Sequence, residues 1–181
     1  NAGATLNTIT GNLIGTDATG SSALGNNTGI WVCEGANGNI IGPDNVIAHN
    51  GGTGIEIEGY HSVHNTITRN SIHDNGGKGI RTLWGANTDL LPPTLFNFDL
   101  QSGAATGTVC YHCTVEIFSD ASDEGAIYEG QTTADGSGVF VFNKGNAFAG
   151  PHLTATATDI EGNTSGFSPP TTSTARSLTL Q

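Results

Sequence analysis

The sequence predicts an all-β chain, with a short parallel β-helix of about three coils followed by an immunoglobulin-like β-sandwich. Three observations carry this. Gly29-Ile30, Gly54-Ile55 and Gly79-Ile80 recur every 25 residues. No segment repeats apolar residues at the period that a helical repeat needs. After Leu83 the rhythm changes to longer alternating runs separated by turn residues.

The repeat is found by aligning the chain on itself. "NTITGN" (residues 7–12) returns as "NTITRN" (residues 65–70), and Asn45, Ile47 and Asn50 return 25 residues later as Asn70, Ile72 and Asn75. "NLIG" (residues 12–15) matches "NVIA" (residues 45–48) at a distance of 33. The excess is "TDATGSSAL" (residues 16–24), whose turn chemistry predicts a loop pushed out of one coil. Three isoleucine columns follow: Ile9, Ile41 and Ile67; Ile14, Ile47 and Ile72; Ile30, Ile55 and Ile80. Three short β-branched segments per unit, parted by Gly/Asn turns, predict three strands per coil, with equivalent residues about 4.8 Å apart. With the third column inward, Trp31, Glu56 and Arg81 point outward together, and Glu56 is placed to pair with Arg81. Asn12, Asn45 and Asn70 should stack at a corner. The longer spacing around Gly42-Pro43 predicts a β-bulge.

The β-helix is assigned to residues 1–91. "WGANTDLLPPT" (residues 84–94) reads as a turn-rich link. Residues 92–170 carry about seven short strands, including "TLFNFDLQ", "TVEIFSD", "GVFVFNK" and "LTATATD", which fit the sandwich. "DGSG" (residues 135–138) is a hairpin signal between "YEGQTTA" and "VFVFN". Residues 171–181 form a polar tail in which Leu178 and Leu180 suit a pairing strand.

Composition narrows the function. Five Lys+Arg against 16 Asp+Glu give a formal charge of −11, which argues against nucleic acid and anionic membranes as partners. No apolar run approaches a membrane span. Three cysteines in 181 residues hint at an oxidising compartment.

"NTITGNLIGTDATGSSALGN", "NTITRNSIHDNGGKGI" and "LTATATDIEGNTSGFS" resemble the large secreted bacterial proteins that join right-handed parallel β-helix repeats to a C-terminal Ig-like domain. "TVCYHCTVEIFSD" resembles the start of that Ig-like domain. The resemblance covers residues 6 to about 169 and implies a right-handed coil and an extracellular or cell-surface location. It also implies a local disulfide between Cys110 and Cys113. The residues alone leave a metal site with His112 or His152, or free thiols, as alternatives. Cys33 is left over as a free thiol.

Few residues promise chemistry. A β-helix lyase needs calcium-binding carboxylates and a basic residue on one outer face. Glu56, Glu58, Asp74, Lys78, Arg81, His49 and His73 are the candidates, yet no acidic triplet recurs, and no catalytic residue is assigned. Asp120, Asp123 and Glu124, and separately "DIEGN" (residues 159–163), are weak calcium candidates; no other cofactor or metal is expected. Trp31, Tyr60 and Trp84 offer faces to a glycan.

An open coil stack exposes strand edges that native proteins cap. The first coil starts at residue 1, so the sequence predicts that its end is truncated or covered by another chain. A second copy, or its tail with Leu178 and Leu180, would stack head-to-tail and give a filament. The expected function is therefore a non-catalytic structural subunit of an extracellular or surface assembly, with itself or other surface proteins as partners. The alternatives are a carbohydrate-binding module, a lyase-like β-helix fragment, or a piece of a surface adhesin.

Overall fold

The computed structural model describes residues 3–172, so the predicted tail strand at Leu178 and Leu180 lies outside the described residues. Nine short strands make three coils. The first contains β1 (Thr8–Ile9), β2 (Leu13–Ile14) and β3 (Ile30–Val32), the second β4 (Ile40–Ile41), β5 (Val46–Ala48) and β6 (Ile55–Glu58), and the third β7 (Thr66–Ile67), β8 (Ser71–His73) and β9 (Ile80–Leu83). They stack as three parallel sheets, β1-β4-β7, β2-β5-β8 and β3-β6-β9. The chain is thus all-β with a β-helix-like first half.

The isoleucine columns set the register. Ile9 stands on Ile41 and Ile41 on Ile67; Ile14 on Ile47 and Ile47 on Ile72; Ile30 on Ile55 and Ile55 on Ile80. A one-residue slip would turn each column to solvent. Ile41, Ile47, Ile55 and Ile57 are 0% exposed. Ile9 and Ile14 are only half-buried, because the second coil covers one side of them and no described residue covers the other. Trp31, Glu56 and Arg81 share a register position on the outer face.

One local expectation changes. The extra residue near Gly42-Pro43 makes no bulge inside a strand, and the pairs Ile40 to Thr66 and Ile41 to Ile67 are continuous. It is absorbed in the following turn, across a cis Gly42–Pro43 peptide. Gly42 sits there at φ 121°, and a Cβ on it would run into Thr68 O, so only glycine fits. The insert after β2 is a self-contained loop: Asp17 Oδ1 accepts from the Thr19, Ser21 and Ser22 N–H groups and the Thr19 hydroxyl.

A short 3-10 turn (Ala86–Asp89) leads into seven further strands: β10 (Thr94–Asp99), β11 (Ala104–Thr108), β12 (Thr114–Asp120), β13 (Ile127–Thr133), β14 (Val139–Asn143), β15 (His152–Thr158) and β16 (Thr171–Thr172). They form two antiparallel sheets, β10-β11-β14 and β13-β12-β15-β16. Between the sheets lies a core of Phe140, Phe142, Val115, Ile117, Leu153 and Ala155. The "DGSG" hairpin is a correction. The turn forms, with Asp135 N–H donating to Val139 O, but β13 pairs with β12 and β14 with β11, so the turn crosses between sheets. Crossing lets the alternating "VFVFN" bury Phe140 and Phe142 from the opposite side of the core. Cys110 and Cys113 form a disulfide across the turn from β11 to β12, with Cα atoms 5.5 Å apart.

Burial gradation along a column predicts unequal costs of truncation. Ile47→Ala should lower unfolding free energy by about 2–5 kcal/mol in urea titrations, and Ile14→Ala, in the same column, by clearly less.

Candidate functional site

The corners carry most of the polar structure. Sequence reasoning finds one asparagine stack; the structure contains three. They are Asn7, Asn39 and Asn65; Asn12, Asn45 and Asn70; and Asn26, Asn50 and Asn75. In each, an Oδ1 accepts from the counterpart one coil earlier. Asn39 Oδ1 takes Asn7 N–H at 3.0 Å and Asn7 Nδ2 at 2.8 Å; Asn65 Oδ1 takes Asn39 N–H at 3.2 Å and Nδ2 at 2.9 Å. Asn45 Oδ1 accepts from Asn12 and Asn70 Oδ1 from Asn45 Nδ2, and the third stack repeats the pattern. Asparagine suits this position because one side chain both donates and accepts, and aspartate could only accept. The ladders therefore have a direction, with acceptors toward the first coil and donors toward the third.

The antiparallel unit and its link meet those donors on the far side of the third coil. Asn87, in the 3-10 turn, continues the first ladder: its Oδ1 accepts Asn65 N–H at 3.1 Å, and its Nδ2 donates to Asn65 O and Thr164 O. Glu124 ends another, taking Asn75 N–H at 3.0 Å and Asn75 Nδ2 at 3.1 Å. Glu116, on β12, accepts from the Thr68 hydroxyl at 2.5 Å and Arg69 N–H at 2.9 Å. Two strand edges are covered as well. Ile67 N–H donates to Thr164 Oγ1, and Ile72 exchanges a pair of backbone bonds with Gly125. Phe167 packs against the coil core and meets Phe118 edge-on at 5.4 Å. Sequence reasoning missed Asn87, Glu116, Glu124 and Thr164 in this role. The last three lie 48, 49 and 97 residues from their partners, outside any repeat period. Only Asn87, 22 residues after Asn65, gave a faint signal.

The cap carboxylates are electrostatically unusual. Burial pushes Glu116 above the ordinary carboxylate range, against the lowering effect of Arg69 N–H and the Thr68 hydroxyl. Glu124 is raised by burial too, opposed by Asn75 and assisted by nearby Asp120 and Asp123. Glu129 behaves oppositely. Its burial is outweighed by Lys144 Nζ at 2.5 Å, the Ser119 hydroxyl and Ala149 N–H, which together lower it.

The first coil is the other end. Among the described residues, nothing pairs with the outer edge of β1, β2 or β3, and the Oδ1 atoms of Asn7, Asn12 and Asn26 accept no hydrogen bond. Leu6 is 83% and Leu24 67% exposed beside them. Two of the three strand edges on the far side of the third coil are already occupied, by Thr164 and Gly125. One copy's first coil therefore has no open third coil of another copy to stack on squarely.

The remaining candidates do not converge. Arg81 Nε stands 3.6 Å from Glu56 Oε2, a pair of an exposed and a half-buried side chain on the outer face, worth about 0–1 kcal/mol. His73 Nδ1 meets Asp74 Oδ2 at 2.7 Å, with His49 edge-on to His73. Asp120 turns both oxygens onto N–H groups of its own loop, at Ala121, Ser122 and Ala126, and Glu124 faces Asn75. The calcium candidates are thereby split up, and among the described residues no three His, Cys, Asp or Glu side chains stand together as a metal site. In "DIEGN", Asp159 accepts from Glu161 and Asn163, and Asn163 Oδ1 takes His64 N–H, so this loop also seals the third coil. Cys33 is free and half-buried, and burial raises its thiol pKa. Trp31, Tyr60 and Trp84 are 60%, 77% and 72% exposed. No protein-family model and no curated protein matches this chain.

Two outcomes follow from the cap. Asn87→Ala strands the buried Asn65 N–H and should lower unfolding free energy by about 1–3 kcal/mol, read by urea titration. A carboxylate whose folded pKa is raised contributes stability that is complete below its unfolded pKa and lost as pH rises through the folded one. Glu116 and Glu124 should therefore make the melting temperature rise as the pH is lowered from neutrality toward the ordinary carboxylate range. Below the ordinary carboxylate range it should fall, as the groups held low lose their bonds. These include Glu129, and Asp17, which is held down to about 2, chiefly by the Thr19 hydroxyl. Glu116→Gln should flatten the rise and leave the acid fall in place.

Proposed function

We propose that this chain is a non-catalytic structural component of an extracellular or cell-surface assembly, with the outer edge of the first coil as its contact surface. The observation that carries the reading is the asymmetry of the stack. The far side of the third coil is met at its corners by Asn87, Glu116 and Glu124. The first coil, among the described residues, offers three strand edges and three amide acceptors. An edge of this kind is a template for β-pairing. Its corner acceptors select a partner that supplies N–H donors at matching corners, as one coil does for the next. Such a partner is β-structure, supplied by another subunit or by a further stretch of the same protein.

The Cys110–Cys113 disulfide supports an oxidising location. No described helix is long and apolar enough to cross a membrane. The two antiparallel sheets over a shared core are read as Ig-like, and the coils as right-handed, on the resemblance of the sequence to secreted β-helix proteins. A glycan-binding reading is second, and the exposed faces of Trp31, Tyr60 and Trp84 favour it. Its check is a tryptophan fluorescence titration with oligosaccharides, in which no saturable change removes it.

The strand register gives a test of the first reading. Ile40 N–H donates to Asn7 O and Val46 N–H to Asn12 O, so the N–H groups of Thr8 and Leu13 point to the open side. The isolated chain should associate with rising concentration in sedimentation velocity, and the double variant Thr8→Pro/Leu13→Pro should stay monomeric. A wild-type chain that is monomeric at every concentration sinks the proposal.

A further inference from the structure

The outer face of the third sheet carries rings and hydrogen-bonding groups in a fixed order. Trp31 on β3 stands beside Glu56 on β6, and Glu56 beside Arg81 on β9. One alternation further along, Glu58 stands beside Leu83. Glu58 has no side-chain partner among the described residues, whereas Glu56 meets Arg81 and the Thr53 hydroxyl. The turns that leave β6 and β9 place Tyr60 and Trp84 at the rim of this face. That rim is left-handed in every coil, at Glu34 (φ 54°), Gly59 (φ 93°) and Trp84 (φ 54°). Glycine meets the need in the second coil. The third coil uses a tryptophan that is 72% exposed and so recovers little of the conformational cost by burial. Gly85 follows at φ 81°, and a Cβ on it would stand 2.8 Å from the Tyr60 ring. Tyr60 therefore lies against the bare backbone beside Trp84, and the two exposed side chains share the rim.

The order of groups says what kind of ligand fits. A sugar ring offers an apolar face of C–H groups and a margin of hydroxyls. Aromatic rings take the first by dispersion, and carboxylates and guanidinium groups take the hydroxyls in pairs. A protein partner would look for a continuous apolar core, and here Glu56, Glu58 and Arg81 separate the rings. Trp31 and Trp84 lie two coils and three residues apart in this register, about 14 Å. One sugar ring does not bridge that distance, and a short oligosaccharide does. Two carboxylates against one guanidinium leave the face negative, as is the chain at −11, so an anionic polymer is repelled.

We propose that the outer face of the third sheet binds a linear neutral polysaccharide, which stacks on Trp31 and on the Tyr60–Trp84 rim and hydrogen-bonds to Glu58 and Arg81 between them. This rests on the glycan-binding reading above and gives it a site and a ligand class. It does not depend on the first-coil edge.

The chain has two tryptophans, so its two indole N–H signals report on the two ends of the site. The test is an NMR titration of the full chain with cellohexaose and with mannohexaose, each signal being assigned by its alanine variant. Both signals should shift together along one saturation curve with at least one of these hexasaccharides, and the matching disaccharide should bind about tenfold more weakly or worse. Trp31→Ala and Trp84→Ala should each weaken binding about tenfold, read by calorimetry. The chain-length comparison uses the unaltered chain and keeps the proposal open to failure if a variant does not fold. No saturable shift with either hexasaccharide overturns the proposal, as does a shift of one indole alone or an affinity indifferent to chain length. Tighter binding of hexagalacturonate than of the neutral sugars overturns the ligand class. Saturable binding that both alanine variants retain leaves the glycan-binding reading standing and overturns this site. Indole shifts that follow protein concentration and ignore sugar give the face to a second copy and equally overturn it.

Discussion

A coil of this kind is incomplete by itself. Its short strands bond only to the coils above and below, and its turns leave backbone N–H groups that no strand partner reaches. The corner asparagines settle both problems at once. In the second and third coils each ladder Oδ1 takes the side-chain amide of its counterpart one coil earlier, and all but Asn70 take its backbone N–H too, so buried amides such as Asn45, Asn50 and Asn65 are satisfied rather than stranded. The isoleucine columns supply the apolar burial, and the asparagine ladders fix where each turn must sit for the columns to align. Because every ladder runs donor to acceptor in one sense, the stack acquires two chemically different ends.

The antiparallel unit is the answer to one of those ends. It reads the donor side of the third coil with groups that accept: an amide oxygen at Asn87 and carboxylates at Glu116 and Glu124. Two of the three are ionisable and buried, so closing the stack costs desolvation that neutral donors only partly offset. The same residues serve their own sheets: Glu116 sits on β12 in register with Thr156 and Gln131. The joint is thus a continuation of the coil's hydrogen-bonding scheme by side chains of a different architecture, with Phe167 filling the apolar centre.

The two ends of the stack differ in what remains open. Among the described residues, the outer edge of the first coil keeps three amide acceptors and the exposed Leu6 and Leu24. At the other end, Thr164 and Gly125 pair with β7 and β8, and Phe167 packs over Gly79 and Ile80.

The repeat was legible in the sequence because stacking is periodic: in two of the three sheets, residues that touch between the second and third coils are 25 apart, so Ile47 over Ile72 and Asn45 over Asn70 can be read off the chain. Glu56 beside Arg81 follows from the same arithmetic. The other two ladders obey the rule but went unread, since Asn26 stands 24 residues before Asn50 and Asn7 stands 32 before Asn39, where loops blur the period. The sequence by itself therefore determined the all-β class, the coil register and its inward face. Only the tertiary structure decided which strands of the second half pair, why the "DGSG" turn crosses between sheets, and that Glu116, Glu124 and Thr164 close the third coil. Those contacts join residues dozens of positions apart with no shared period, and they form only once each half has folded and presents its surface to the other.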